Sequence, residues 1–186
     1  MAAKEPQMNA PELDRLIFRL KEAGLPTKRF MKLHEDKKAF EKGWQNNPHD
    51  IEDLPTYPRW GIAGREGLVE IDADDIAMAE TIRSLIPPTF ESQSPRRELP
   101  HFYLKVTGGQ VPNRILYHQG AKDGSGEIRA QNHYLVAPGT EITYKDLKTG
   151  EQRTGRYIIL QDRPIATMTH DDFMAAFKTA MKGGGV

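Results

Sequence analysis

One segment constrains the fold more than any other. Residues 68–74, with the sequence LVEIDAD, alternate between apolar and acidic side chains. Successive side chains of a β-strand point to opposite faces, so Glu70, Asp72 and Asp74 share one face and the apolar side chains share the other. The pattern predicts a strand that packs on a core with one face and ends in a pair of acids.

Helical and strand patterns on both sides of this segment predict the fold class. A helix is expected from Pro11 to Gly24, and a second over 76–86 with Asp75 as its N-cap. A last helix is expected to begin at Thr169. Further strands are predicted at about His101–Val106, Val111–Tyr117, Glu127–Ala130, Tyr134–Ala137 and Tyr157–Gln161. This order predicts an α+β fold, a mixed or antiparallel sheet core flanked by helices.

The regions between these elements are less regular. The segment 61–67 (GIAGREG) is typical of turns that lead into a strand, and the segment 26–60 is expected to hold short elements and loops. Its packing is predicted to rely on aromatic residues, namely Phe30, Phe40, Trp44 and Trp60. We divide the chain into a leader and helix (1–25), a central domain (26–165), and a C-terminal helix with a glycine tail (166–186).

Composition excludes several classes of protein. The 186 residues contain no cysteine, which excludes a disulfide scaffold, a thiolate zinc site and a cysteine nucleophile, so no zinc is expected. The 26 basic and 26 acidic side chains balance to a net charge of +0, which excludes a polycation that grips nucleic acid by bulk charge. Without a signal peptide or a long apolar run, we expect a cytoplasmic protein with no membrane partner.

The acid pair Asp72 and Asp74 is the first candidate site. Two like charges that close repel each other and call for a cation, and hard oxygen ligands suit Mg²⁺ or Mn²⁺. The plainer alternative is that Asp74 or Asp75 caps the following helix while Asp72 is merely solvated.

Three other segments carry polar side chains on one face or in one loop. Glu127 and Arg129 share a strand face, either in a site or as a surface ion pair of little consequence. In HFYLKV, His101, Tyr103 and Lys105 share a face; His101 and Lys105 have the chemistry to bind phosphate oxygens, and the alternative is a half-exposed strand end. The loop before them contains Ser94, Arg96 and Arg97. These side chains have the chemistry to hold a triphosphate, and the alternative is a solvated basic loop.

Taken in order, these segments resemble a known family. GLVEIDADD, PHFYLKV and GEIRAQNHYLVAPGT are similar to motifs of the primase-polymerase (prim-pol) branch of the archaeo-eukaryotic primase superfamily. FEKGW (40–44) and PRWGIAG (58–64) resemble its lead-in segments, so the likeness runs from about residue 26 to about residue 140. Glu70 stands where the family usually has an apolar residue. The resemblance implies an RRM-like palm and makes 26–165 the catalytic domain.

The resemblance also implies roles for individual residues and ligands. It implies two Mg²⁺ or Mn²⁺ ions held by the catalytic acids Asp72, Asp74 and Glu127. Nucleotide contacts are expected from a second set: His101, Lys105, Arg97, Arg129 and Ser94. DNA contacts are expected from Tyr103, Lys37 and Lys38. The implied partners are a single-stranded DNA template, a primer and NTP or dNTP, with a helicase or helical bundle in cis or in trans.

The implied activity is template-directed nucleotidyl transfer in the replication of cellular or mobile-element DNA. One alternative is a metal-dependent nuclease, since an acid pair followed by Glu127-x-Arg129 loosely resembles a phosphodiesterase site. The other is a replication module that binds nucleotide or DNA without catalysis. Cleavage of DNA without added nucleotide would favour the first alternative, and a lack of saturable Mn²⁺ and triphosphate binding the second.

Overall fold

A computed structural model of the chain describes residues 10–51 and 54–182. In this part of the chain the helices are α1 (Pro11–Glu22), α2 (Ile76–Leu85) and α3 (His170–Phe177). The strands are β1 (Phe30–Lys32), β2 (Trp60–Gly64), β3 (Leu68–Ala73), β4 (Glu91–Gln93), β5 (Pro100–Thr107), β6 (Arg114–Leu116), β7 (Gly126–Arg129), β8 (His133–Val136), β9 (Glu141–Lys145), β10 (Gln152–Arg156), β11 (Ile158–Gln161) and β12 (Ala166–Thr169).

The largest sheet has the order β11-β4-β5-β3-β7-β6, and β12 pairs with β5 beyond the end of β4. All its pairings are antiparallel except β5 with β12, which is parallel. A second sheet has the order β1-β2-β8, and β9 and β10 form a separate hairpin. The predicted α+β class, with a mixed sheet flanked by helices, is confirmed.

The two faces of the large sheet pack differently. One face buries Val69, Ile71 and Phe102 against α2 and α3. The start of the other face, around Leu68 and Tyr103, is covered by α1 and by residues of the second sheet. Because the cover stops short of the end of β3, the last side chains on this second face remain accessible.

The second sheet approaches the first closely at one glycine. Gly64 in β2 lies against the backbone of Arg129 in β7, and a Cβ atom on Gly64 would overlap the Arg129 carbonyl oxygen. The segment predicted to be turn-rich is therefore partly a strand, because its small residues let β2 pack beside β7.

Most predicted elements are present, with corrections at the edges. The helices at the start and middle are confirmed, Thr169 caps α3, and the strand predicted over 111–117 is only β6. Phe40 is 55% exposed, so its predicted place in the packing is wrong. The division at residues 25 and 165 stays a prediction. Within the described residues, no helix has the length and apolar character needed to span a membrane.

Candidate active site

A row of polar side chains crosses the open end of the large sheet. Asp72 in β3 lies directly opposite His101 in β5 and directly opposite Glu127 in β7. Directly opposed residues of antiparallel strands present their side chains on the same face. The three side chains therefore form one row, Glu127–Asp72–His101, which we call the catalytic row after the role that we propose for it.

Arg129 lies between two acids of the catalytic row. Its Nη2 atom is 2.9 Å from Glu127 Oε2 and 3.5 Å from Asp72 Oδ2. Its Nη1 atom donates a hydrogen bond to the Tyr134 carbonyl oxygen at 2.6 Å, which fixes the guanidinium in place. Asp72 and Glu127 thus converge on a point that already holds a positive charge.

Asp72 is ionised and held from both sides. His101 Nε2 lies 3.3 Å from Asp72 Oδ1. Burial raises the pKa of Asp72, but His101, Arg129 and Lys37 outweigh burial and bring the net pKa below the ordinary aspartate value. The structure therefore favours the charged, cation-binding form of this carboxylate.

Asp74 follows the end of β3 and faces a different cation. Its Oδ1 atom accepts a hydrogen bond from Arg97 Nη1 at 2.9 Å. Burial and the negative charge of Asp72 raise the pKa of Asp74, against the opposing effect of Arg97. Because this acid repels Asp72, a cation added between them would be stabilised by both.

The N-cap of α2 is Asp75, so neither Asp72 nor Asp74 is used to cap this helix. The Asp75 Oδ1 atom accepts a hydrogen bond from the Met78 N–H at 2.7 Å, the geometry of an N-cap. Asp75 also lies 3.0 Å from His118 Nε2. A cap by Asp75 agrees with the plainer alternative as well, but it leaves the Asp74 carboxylate free of the helix end.

A basic cavity of about 240 Å³ adjoins the catalytic row on its His101 side. It is bordered by the acids Asp72 and Asp74 and lined by polar or cationic groups, namely Lys37, Ser94, Arg96, Arg97, His101 and Tyr157. Burial lowers the pKa of Lys37, and the nearby charge of Arg96 lowers it further. Several positive groups packed this closely favour an anionic ligand of high charge.

Some of the residues predicted to bind nucleotide or DNA line the basic cavity, and Lys38 does not. Ser94, Arg97, His101 and Lys37 line the cavity, although Lys37 was expected at DNA. Lys38 is exposed and pairs with Asp36 at 2.8 Å.

Tyr103 and Lys105 must be corrected. Tyr103 is fully buried, with its hydroxyl 3.2 Å from Ser92 Oγ, so it cannot contact DNA. Lys105 Nζ donates a hydrogen bond to the Ala23 carbonyl oxygen at 2.6 Å, at the end of α1. Lys105 therefore holds a helix end instead of a phosphate, because α1 covers this part of the sheet face.

Two residues of the site were missed by sequence reasoning. Tyr157 reaches the cavity from a distant segment, with its ring centroid 5.7 Å from that of His101. His133 Nδ1 lies 3.1 Å from Glu127 Oε1. The short link between β7 and β8 was a usable signal for His133, whereas nothing local in the sequence indicates Tyr157.

Glu70 lies on the same face of β3 as Asp72, two residues earlier in the strand. It is fully buried, and neither carboxylate oxygen has a hydrogen bond from a side chain in the described part of the protein. Burial raises the pKa of Glu70 well above the ordinary value, against the opposing charges of Arg129 and Arg29. Burial therefore favours the protonated form of Glu70 and keeps this side chain away from a cation at the open end of the sheet.

Glu70→Gln is expected to stabilise the fold more at pH 8 than at pH 5, because the amide has no proton that the folded state must retain. The unfolded glutamate releases its proton above its ordinary pKa while the folded one retains it, so stability falls as pH rises through this range. Urea unfolding at pH 5 and pH 8 measures the effect, which should grow with pH. Glu80→Gln, on the surface, is the control; an equal gain at both pH values would contradict a neutral Glu70.

The donor atoms of the site fit divalent cations. Carboxylate oxygens are the ligands that Mg²⁺ and Mn²⁺ prefer, and Arg129 Nη2 marks a point where two of them already surround a positive charge. In the arrangement of residues 10–51 and 54–182, no three acidic or histidine side chains are close enough to surround one ion. A cation that bound these carboxylates would compete with Arg129 and Arg97, which pair with them in this structure.

Comparison with known proteins identifies the family of the chain. Residues 17–170 match the Prim-Pol family, described as the N-terminal domain of bifunctional DNA primase/polymerases. The search of curated proteins finds no match. The matched segment contains the whole catalytic row, the cavity residues and all twelve strands. On this match, which spans most of the chain, the protein belongs to the Prim-Pol family of DNA primase/polymerase domains.

Proposed function

We propose that this chain catalyses template-directed nucleotidyl transfer, adding nucleotides to a DNA primer and starting primers on single-stranded DNA. Family membership supports DNA primase/polymerase activity in general. The observation that carries the finer proposal is the catalytic row beside a basic cavity, with Asp72 common to both.

The proposed cation ligands are Asp72, Asp74 and Glu127. Two bound Mg²⁺ or Mn²⁺ ions would supply charge stabilisation to the attacking hydroxyl and to the leaving pyrophosphate. Arg129 and Arg97 neutralise the acids before the ions bind, and their release frees two guanidinium groups beside the substrate.

The chain's own cations bind and orient the triphosphate. Arg96 and Lys37 border the cavity, and His101 is fixed between Asp72 and the Tyr157 ring. Donors held rigidly at the phosphate oxygens stabilise the charge that develops during transfer. Ser94 adds a hydroxyl donor at the same rim.

The proposed template surface lies on the segment 28–42. Lys28 and Lys42 line a surface cavity of about 510 Å³ together with Trp44, and Lys38 is exposed nearby in the sequence. Lysines of this kind bind DNA phosphates with a strong dependence on salt. We place the activity in the replication of cellular or mobile-element DNA, with a helicase or helical bundle as the expected partner.

The test is extension of a 5′-labelled primer on a DNA template, with Mn²⁺ or Mg²⁺ and either NTP or dNTP. Growth of the primer, and new primers on unprimed single strands, are the expected results. A reaction without nucleotides separates the alternatives, because shortening of the labelled strand would indicate a nuclease. Absence of both products, together with no saturable triphosphate binding, would leave a non-catalytic module.

Gly155→Ala is expected to raise the KM for nucleotide about tenfold, because near-ångström displacement of binding groups has effects of this size or larger. A Cβ atom on Gly155 would lie 2.7 Å from Pro95 Cβ and 3.1 Å from Tyr144 Cε1. Pro95 cannot rotate away, so the loop that carries Ser94, Arg96 and Arg97 must shift.

Steady-state extension with varied dNTP measures this effect, and Gly150→Ala serves as the control in the same hairpin, where a Cβ atom would meet only the Lys145 side chain at 3.6 Å. Gly150 has a φ of +73°, so the control variant also reports the general cost of disturbing the hairpin. An unchanged nucleotide KM in Gly155→Ala would show that Pro95 does not position the cavity loop.

A further inference from the structure

The catalytic row continues to the edge of the sheet with an apolar side chain. Ile115 in β6 lies directly opposite Glu127 in β7, so it shares the face of Glu127, Asp72 and His101. Ile115 is 51% exposed, and β6 is the edge strand of the sheet. An exposed isoleucine next to a row of charged side chains is not explained by packing of the core.

The two sides of Asp72 differ in chemistry. The basic cavity, with Arg96, Arg97 and Lys37, lies on the His101 side and does not include Glu127 or Ile115. On the Glu127 side, the row offers a carboxylate, the apolar Ile115 side chain and the half-exposed His133. The site is therefore polar and cationic on one side of Asp72 and partly apolar on the other.

The proposed reaction needs its two substrates on opposite sides of the reacting phosphorus. The primer 3′-oxygen forms a bond to the α-phosphorus and loses its proton to solvent, while the bond from that phosphorus to the pyrophosphate oxygen breaks. In such an in-line displacement the attacking and leaving oxygens lie on opposite sides. With the triphosphate in the basic cavity, the 3′-oxygen must arrive from the Glu127 side.

We infer that Ile115 and Lys122 form the subsite for the primer's 3′-terminal nucleotides, an inference that rests on the proposed nucleotidyl transfer. Ile115 offers an apolar contact for a deoxyribose or base. Lys122 lies in the loop that joins β6 to β7, is exposed, and makes no ion pair with the described residues. Its ammonium group suits a phosphate of the primer backbone.

Steady-state extension by Ile115→Asp tests the subsite. The KM for primer–template should rise at least about tenfold, because a new carboxylate faces the anionic strand, while the KM for dNTP changes less than about twofold. Lys122→Ala should weaken primer–template binding and reduce the slope of log affinity against log salt by about one. Leu147→Asp, at a leucine that is 61% exposed in the β9–β10 turn, is the matched control.

Binding without catalysis separates this inference from the proposed function. Fluorescence anisotropy of a primer–template labelled near the primer 3′ end should show weaker binding for Ile115→Asp than for Leu147→Asp, whether or not the wild-type chain extends primers. Equal affinities of these two variants, or an equal rise of both KM values in Ile115→Asp, would overturn the subsite. If the wild-type chain does not extend primers but Ile115→Asp still binds primer–template more weakly than Leu147→Asp, nucleotidyl transfer is overturned and the subsite is supported.

Discussion

Asp72→Asn is expected to reduce primer extension by about three orders of magnitude, the equivalent of about 4 kcal/mol in the activation free energy. Asp72 is the central member of the catalytic row, opposite both His101 and Glu127, and it borders the basic cavity. The amide keeps the size of the side chain but removes the charge that a cation needs. Single-turnover extension at saturating Mn²⁺ and dNTP measures the loss.

Asp162→Asn is the matched control, because Asp162 is also paired with arginines, Arg15 and Arg19, but lies outside the cavity and the row. It should extend primers at nearly the wild-type rate. Circular dichroism and thermal unfolding verify that both variants are folded. Extension by Asp72→Asn at the wild-type rate would mean that the cations bind elsewhere.

Arg129→Met is expected to destabilise the metal-free protein by about 2 kcal/mol. The loss is smaller than for a fully buried ion pair, because the side chains of Asp72, Glu127 and Arg129 are partly exposed. Without the guanidinium, Asp72 and Glu127 lose the positive charge that lies 3.5 and 2.9 Å from their oxygens. Mn²⁺ can replace that charge, so the variant should gain more in Tm from Mn²⁺ than the wild-type chain does.

Thermal unfolding with and without Mn²⁺ measures both quantities. Arg153→Met removes a surface partner of Asp146 and provides the comparison, with no Mn²⁺-dependent recovery expected. If Arg129→Met is destabilised to the same extent at every Mn²⁺ concentration, then Arg129 does not occupy the position of a cation.

Local patterns predicted the elements that carry the acids. The alternation over residues 68–74 correctly predicted β3 and the shared face of Glu70 and Asp72, and Asp75 was correctly expected as a helix cap. Alternation also placed Tyr103 and Lys105 on the face of His101. It could not show that α1 and the second sheet cover that face before His101, which depends on contacts between distant segments.

The cavity was harder to predict for the same reason. Lys37, Arg96 and Tyr157 come from three separate segments, and only the folded chain brings them around Asp72. Strand β2 was missed because glycines at 61 and 64 resemble a turn. The lack of a side chain at Gly64 lets the second sheet approach β7, and the lack of one at Gly61 leaves room for the Met31 side chain.

The parallel pairing of β12 with β5 has a consequence for how the chain folds. Strand β5 supplies His101 at one end, and its other end pairs with β12, from Ala166 opposite Leu104 to Thr169 opposite Thr107. Contacts between segments so far apart close late and slow the folding of a domain. During synthesis on the ribosome, β5 therefore keeps an open hydrogen-bonding edge until β12 has emerged, and the nascent chain is most exposed to aggregation in that interval.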